Sequence, residues 1–273
     1  MAKTILIAGK DMPQGEAFVE GMTETNRNVV VTRPETEIEE QKALEKKTVA
    51  EKKAEAAAIA EAETREASTG VFTVAWNRPS SVSARTIVLQ AENAYEQLDE
   101  AVLFFDEEAY AAEAERLDVS ECVRTCDELV VPYQMLALEL ISRFEKHNSG
   151  AKPGTLVFLL KEGPSVADGL RSPAIRNGQN SLASPAVAAA ASAFTAFAEN
   201  FAAVYGDDPY VNIVLVRGDS DSELAKNDHQ LASWLASFMD SVDSLKTKLN
   251  AKKSIAWNKI GAKSVGAFSL FKL

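Results

Sequence analysis

Apolar residues fall in short blocks along this chain, and between the blocks they recur every three or four positions. The blocks at 4–8, 28–32, 71–75, 101–105, 155–160 and 210–216 are rich in branched and aromatic side chains and read as strands. The three-to-four spacing predicts helices over 15–23, 81–95, 121–146, 185–204 and 222–248. Pro132 lies inside the third of these, so a kink or split is expected there. Residues 255–257 read as an extra short strand or turn, and 265–273 as a last strand. Strands that alternate with helices and are apolar on both faces make an α/β, doubly wound parallel sheet. About seven strands and one domain over 1–273 are expected.

Residues 35–67 break this pattern. They are nearly all Glu, Lys, Ala and Gln, with Ile38, Leu44, Val49 and Ile59 as the few large apolar positions. That composition favours helix throughout. A helix of this length spans about 45 Å, more than a crossover needs. It reads as a solvated helix overhanging the domain, or as an arm that docks a protein partner. Its spacing is too irregular for a heptad repeat. Residues 161–181, rich in Gly, Pro, Ser and Asn, read as a long loop.

The 273 residues are 46% hydrophobic and 25% charged, enough to bury a full core, and the net charge is −11. An acidic chain without a basic stripe argues against a nucleic-acid partner. No signal-peptide pattern opens the chain and no apolar run reaches bilayer length, so a cytoplasmic location with no membrane partner is expected. Cys122 and Cys126, four apart, read as small buried hydrophobes on one helix face rather than a metal or redox pair. The two histidines, His147 and His229, have polar neighbours, so neither a zinc site nor a histidine-centred triad is expected.

The first strand runs into Gly9-Lys10-Asp11-Met12-Pro13-Gln14-Gly15, and Glu16-Ala17-Phe18-Val19 opens a helix. Strand, glycine turn and helix form the arrangement in which a helix N-terminus faces a phosphate, at the carboxyl edge of the sheet.

These residues resemble the short-chain dehydrogenase/reductase superfamily, over nearly the whole chain. The family's turn reads Thr-Gly-x-x-x-Gly-x-Gly; here Pro13 takes the middle glycine's place and removes an N–H donor. Arg33 stands where NADP-preferring members often carry a basic residue, and no acidic ribose ligand is evident there. Ser80-Ser81-Val82, Leu98-Asp99, Val211-Asn212 and Val265-Gly266 match further family passages. The resemblance implies a Rossmann-like sheet, an NAD(P) site and a Ser, Tyr and Lys catalytic set. The Ser should close strand five, where this chain has Leu159-Leu160-Lys161. The next helix should carry Tyr-x-x-x-Lys, but it opens Pro185-Ala186-Val187-Ala188, and no Tyr in the chain is followed four residues later by Lys. The Asn-Asn-Ala-Gly of strand four is Leu103-Phe104-Phe105-Asp106.

A non-catalytic member is therefore expected, a scaffold, interaction or binding module. Gly9, Lys10, Gly15 and Arg33 would form a vestigial or weak dinucleotide site, with no catalytic residues and no metal. No cofactor is expected, beyond NADP held weakly. The alternative is an NAD(P)-dependent oxidoreductase with relocated acid–base groups, for which Lys161, Asp106 and Asp168 are the recruits near the sheet edge. Family members usually self-associate through the helices matching 121–146 and 185–204, so a homo-oligomer, dimer or tetramer, is expected.

Overall fold

A computed structural model describes residues 2–35, 70–114, 117–147, 152–163, 184–245 and 247–265. Seven strands form one sheet in the order β3-β2-β1-β4-β5-β6-β7. They are β1 (Lys3–Ala8), β2 (Arg27–Pro34), β3 (Val71–Trp76), β4 (Glu100–Asp106), β5 (Gly154–Glu162), β6 (Val211–Asp219) and β7 (Trp257–Lys259). Every neighbouring pair is parallel. Side chains alternate across the sheet, so each strand feeds two apolar layers. Leu6, Val30, Leu103 and Phe158 pack under α2 (Ser81–Tyr95), α5 (Val131–His147) and α6 (Pro185–Tyr205). Ile5, Val31, Phe104 and Val157 pack under α1 (Glu16–Thr23) and α7 (Asp228–Asp243). Burying a side chain of this size is worth about 1.5–3 kcal/mol, which is why strands this apolar require cover on both faces. The strand order reverses between β1 and β4, the position at which such sheets open a crevice at their carboxyl edge.

The expected helix over 121–146 is split by the proline. It consists of α4 (Val119–Thr125), a π turn (Cys126–Val130) and α5. Pro132 has no N–H, and its ring crowds the carbonyl four residues back, that of Glu128. The Val131 N–H instead reaches the Cys126 carbonyl, five residues back. The freed Glu128 carbonyl accepts from Arg78 Nη1 at 3.0 Å. Glu121, Thr125 and Leu129 take the buried side of this segment, which leaves Cys122 and Cys126 exposed rather than buried as expected.

Other boundaries differ as well. β2 continues through Pro34, which pairs in register with Trp76, two residues beyond the expected end of the strand. α7 begins at Asp228, where the Asn227 side chain caps it by accepting from Gln230 N. Two short helices, α3 (Glu107–Glu113) and α8 (Ala251–Ser254), complete the described elements. The seventh strand is Trp257–Lys259; the strand expected at 265–273 falls almost wholly outside the described residues. So do the charged segment 36–67, most of the loop at 161–181, and Asp168. α6 is long and apolar enough, by length and composition alone, to cross a membrane, which the expectation from run length did not foresee. Phe194, Phe197 and Phe201 of α6 pack their rings on Phe158 of β5, as in the core helix of a sheet.

Candidate functional site

The turn after β1 is shaped by one glycine. Gly9 has φ +94°, and a Cβ there would meet the Phe104 carbonyl at 2.1 Å and the Tyr133 hydroxyl at 2.2 Å. Gly15 caps α1 against the Lys10 carbonyl. Between them the turn uses its own donors. Met12 N bonds the Thr32 carbonyl at 2.9 Å, Gly15 N that of Asp11 at 2.8 Å, and Glu16 N that of Pro13 at 3.1 Å. Pro13 contributes none, and Glu16 places a carboxylate in the helix's first turn. Three of the turn's backbone donors, those of Met12, Gly15 and Glu16, are thus satisfied within the chain.

Side chains close around Gly9 from the α2/α5 face. Tyr133 donates to the Phe104 carbonyl at 2.7 Å, Tyr110 donates to the Gly9 carbonyl at 3.0 Å, and the two hydroxyl oxygens lie 2.6 Å apart. Burial pushes both phenols up, Tyr133 well above the ordinary tyrosine value, so both stay protonated. Arg78 lies over the Trp76 ring at 4.5 Å and donates to Asp11 Oδ2 at 2.7 Å. The other Asp11 oxygen takes a very short bond from the Thr32 hydroxyl.

Over β4–β6 the edge holds an ion cluster. Lys10 Nζ lies 3.0 Å from Asp106 Oδ2 and 2.7 Å from Asp228 Oδ2. Lys161 Nζ lies 3.3 Å from the same Asp106 oxygen and 3.8 Å from Asp228. Burial works against the charge on Lys10, but Asp106 and Asp228 outweigh it and hold its pKa above the ordinary lysine value. Asp106 also caps α3 by accepting from Ala109 N at 3.2 Å, and Asp228 sits in the first turn of α7, where the helix dipole favours a carboxylate.

Over β1–β3 the edge forms a cleft of about 390 Å³, within the range of small-molecule sites. Asp11, Glu35, Trp76, Arg78, Tyr110 and Arg124 are among its walls. Trp76 is 2% exposed, yet among the described residues its indole N–H has no hydrogen-bond partner. A buried donor without a partner is rare. These residues fit the adenosine half of a dinucleotide: an aromatic wall, an unused donor and carboxylates for hydroxyls.

The structure therefore separates the expected site residues. Gly9 and Gly15 shape one turn. Lys10 turns away from that turn into the ion cluster. Arg33 is at the strand position next to Pro34, so it faces away from the cleft, and its Nε is buried without a hydrogen-bond partner among the described residues. Lys161 and Asp106 do meet. Glu35, directly after β2, lines the cleft. Arg78, Tyr110, Tyr133 and Asp228 were not legible as site residues, since each arrives from a different element.

No protein-family model matches the chain, and no curated protein does. Solved structures match over nearly its whole length. A 3-ketoacyl-(acyl-carrier-protein) reductase from Brucella melitensis complexed with NADH is 13% identical, covering 97% of each chain at TM-score 0.57. A short chain dehydrogenase from Burkholderia cenocepacia J2315 in complex with NADP is 14% identical, covering 98% of this chain and 99% of its own at TM-score 0.55. An alcohol dehydrogenase from Thermococcus sibiricus complexed with 5-hydroxy-NADP is 10% identical, covering 94% and 95% at TM-score 0.57. These complexes overturn the expectation of no cofactor, since solved structures that share this fold hold nicotinamide dinucleotides. The sheet order, the glycine turn and these likenesses agree that this chain has the fold of the short-chain dehydrogenase/reductases.

Proposed function

We propose that this chain is a non-catalytic protein of that fold, a binding module that holds a nicotinamide dinucleotide by its adenosine half in the cleft over β1–β3. The observation that carries this reading is the ion cluster of Lys10, Asp106, Lys161 and Asp228. Lys161 stands at the end of β5, where the family's Ser would hold a substrate carbonyl, and it is paired with carboxylates instead. α6 has a single Tyr, its last residue Tyr205, and no Lys. A proton donor works best with a pKa near the operating pH. The two tyrosines near the turn, Tyr110 and Tyr133, are moved the other way by burial. A dinucleotide supplies hydride chemistry when bound; here Trp76, Arg78, Asp11 and Glu35 bind and orient it.

The interaction reading extends to self-association. Val131 and Leu138 on α5 and Val204 on α6 are exposed apolar side chains suited to a contact between copies, as a dimer or tetramer. Two exposed free thiols suit the reducing cytoplasm.

Titration with NADH, followed by tryptophan fluorescence and thermal shift, tests the binding. An assay of NADH oxidation with a panel of ketones and aldehydes tests the chemistry. Saturable binding with no turnover above buffer is expected. Turnover would overturn the non-catalytic reading, and silence at millimolar NADH would overturn the binding. Light scattering at micromolar protein decides whether copies associate.

A further inference from the structure

We infer that Cys122 and Cys126 together bind a soft, two-coordinate cation of the copper(I) class. Both thiols are free and exposed, and both line one shallow depression on the surface of α4 and the π turn. Thiolates are the ligands that soft cations select. The depression shares no residue with the cleft, so this inference goes beyond the binding reading and does not rest on it.

The Cys126 N–H bonds the Cys122 carbonyl, so the two cysteines stand one α-turn apart on the same face. Glu121, Thr125 and Leu129 are buried on the other side, which turns the thiols outward. At this spacing the Cβ atoms are about 5–6 Å apart. A disulfide needs about 3.5–4.5 Å, so closing one would distort the turn. A bridging cation has no such limit. Two metal–sulfur bonds of about 2.3 Å, the length thiolates make to zinc, span sulfurs up to about 4.6 Å apart. The spacing suits a bridged ion and opposes a disulfide.

The surroundings choose the kind of ion. Leu117, Val119 and Val123 flank the thiols and give nothing to a hard cation, which binds through oxygen ligands and retained water. No third thiol and no imidazole lines the depression among the described residues. A structural zinc takes four ligands, so two thiolates fit an ion that needs only two. Asp118 and Asp127 border the depression and make its field attractive to a cation. The neighbouring guanidinium of Arg124 is offset by Glu121 at 2.8 Å and Glu128 at 3.0 Å. Each thiol gives its proton to solvent as its metal–sulfur bond forms, so uptake tightens as pH rises.

The test titrates the reduced full chain, under argon, into copper(I) held by bicinchoninate and follows the colour of the chelate. Transfer of one copper(I) per chain is expected. Cys122→Ser and Cys126→Ser should each lose that transfer while keeping the wild-type Tm, because both positions are exposed. A chromogenic disulfide reagent should find both thiols protected in the copper-loaded chain. No transfer from the chelate overturns the inference, as does transfer that survives in either Ser variant. Incubation with glutathione disulfide tests the spacing. Mixed disulfides with glutathione are expected by mass spectrometry, and a Cys122–Cys126 disulfide formed instead overturns the geometric argument. Because the two sites share no residue, silence toward NADH would count against the cleft alone, and silence toward copper(I) against this site alone.

Discussion

Over β4–β6 the carboxyl edge carries two lysines and two aspartates, each within ion-pair distance of an opposite charge. Over β1–β3 it carries two guanidiniums, five carboxylates and an indole N–H with no partner among the described residues. The first half pairs its charges within the chain, although Asp228 Oδ1 is buried without a hydrogen-bond partner among the described residues. The second has unmatched polar groups beside a cavity, and buried polar groups seek partners. The amino edge repeats the self-satisfied arrangement. There Arg27 and Lys3 pair with Glu100 and Asp240, and Lys3 also with Asp243, so the one gathering of carboxylates found among the described residues is already held by cations. The lesson is that charged residues at a sheet edge indicate a site only where their count or geometry leaves something unpaired.

The comparison breaks most severely at Asp106. Asp106→Ala removes the carboxylate shared by Lys10 and Lys161 along with the cap of α3. It should cost about 2–3 kcal/mol in urea denaturation, the worth of charged hydrogen bonds, because both lysines keep Asp228 within ion-pair distance. Asp106→Asn keeps a capping oxygen and should recover about 1 kcal/mol of that loss. If Asp106→Ala is nearly neutral, the cluster is not what holds that half of the edge closed.

A pH titration gives a smaller effect. Because the folded-state pKa of Lys10 is raised, its pairing stabilises the fold fully below the ordinary lysine value of 10.5. That stabilisation is lost as pH climbs through the raised folded value. Above about pH 10.5, the Tm of the wild type should fall more steeply than that of Lys10→Met. Parallel curves would show that Lys10 is not coupled to folding.

The smallest effect on stability belongs to the open half. Trp76→Phe discards an unpartnered buried N–H while keeping most of the ring, so its cost should stay near 1 kcal/mol. Its effect on the ligand should be larger, an NADH dissociation constant about five- to tenfold weaker by titration calorimetry. Loss of folding without loss of binding would reverse the roles assigned to the two halves.

The sequence by itself determined the parallel sheet, the turn after β1 and the lack of a Tyr-x-x-x-Lys helix. These follow from local periodicity, from the spacing of Gly9 and Gly15, and from which residue types are present. Pro132 announced a break in its helix, but only packing shows that the break becomes a π turn that hands the Glu128 carbonyl to Arg78. Burial of Cys122 and Cys126 was misjudged because thiols suit either environment, and the helix's rotation is set by Glu121, Thr125 and Leu129. Lys10 looked like a phosphate ligand beside its glycine; its direction was decided by Asp106 and Asp228, which lie 96 and 218 residues further along the chain. Arg33 and Glu35 are two positions apart in sequence, yet Glu35 lines the cleft and Arg33 faces away from it. Strand alternation separates Arg33 from Pro34, while the turn at the end of β2 releases Glu35 from that alternation. Partners that close or open a site come from distant elements, so only the tertiary structure assigns them.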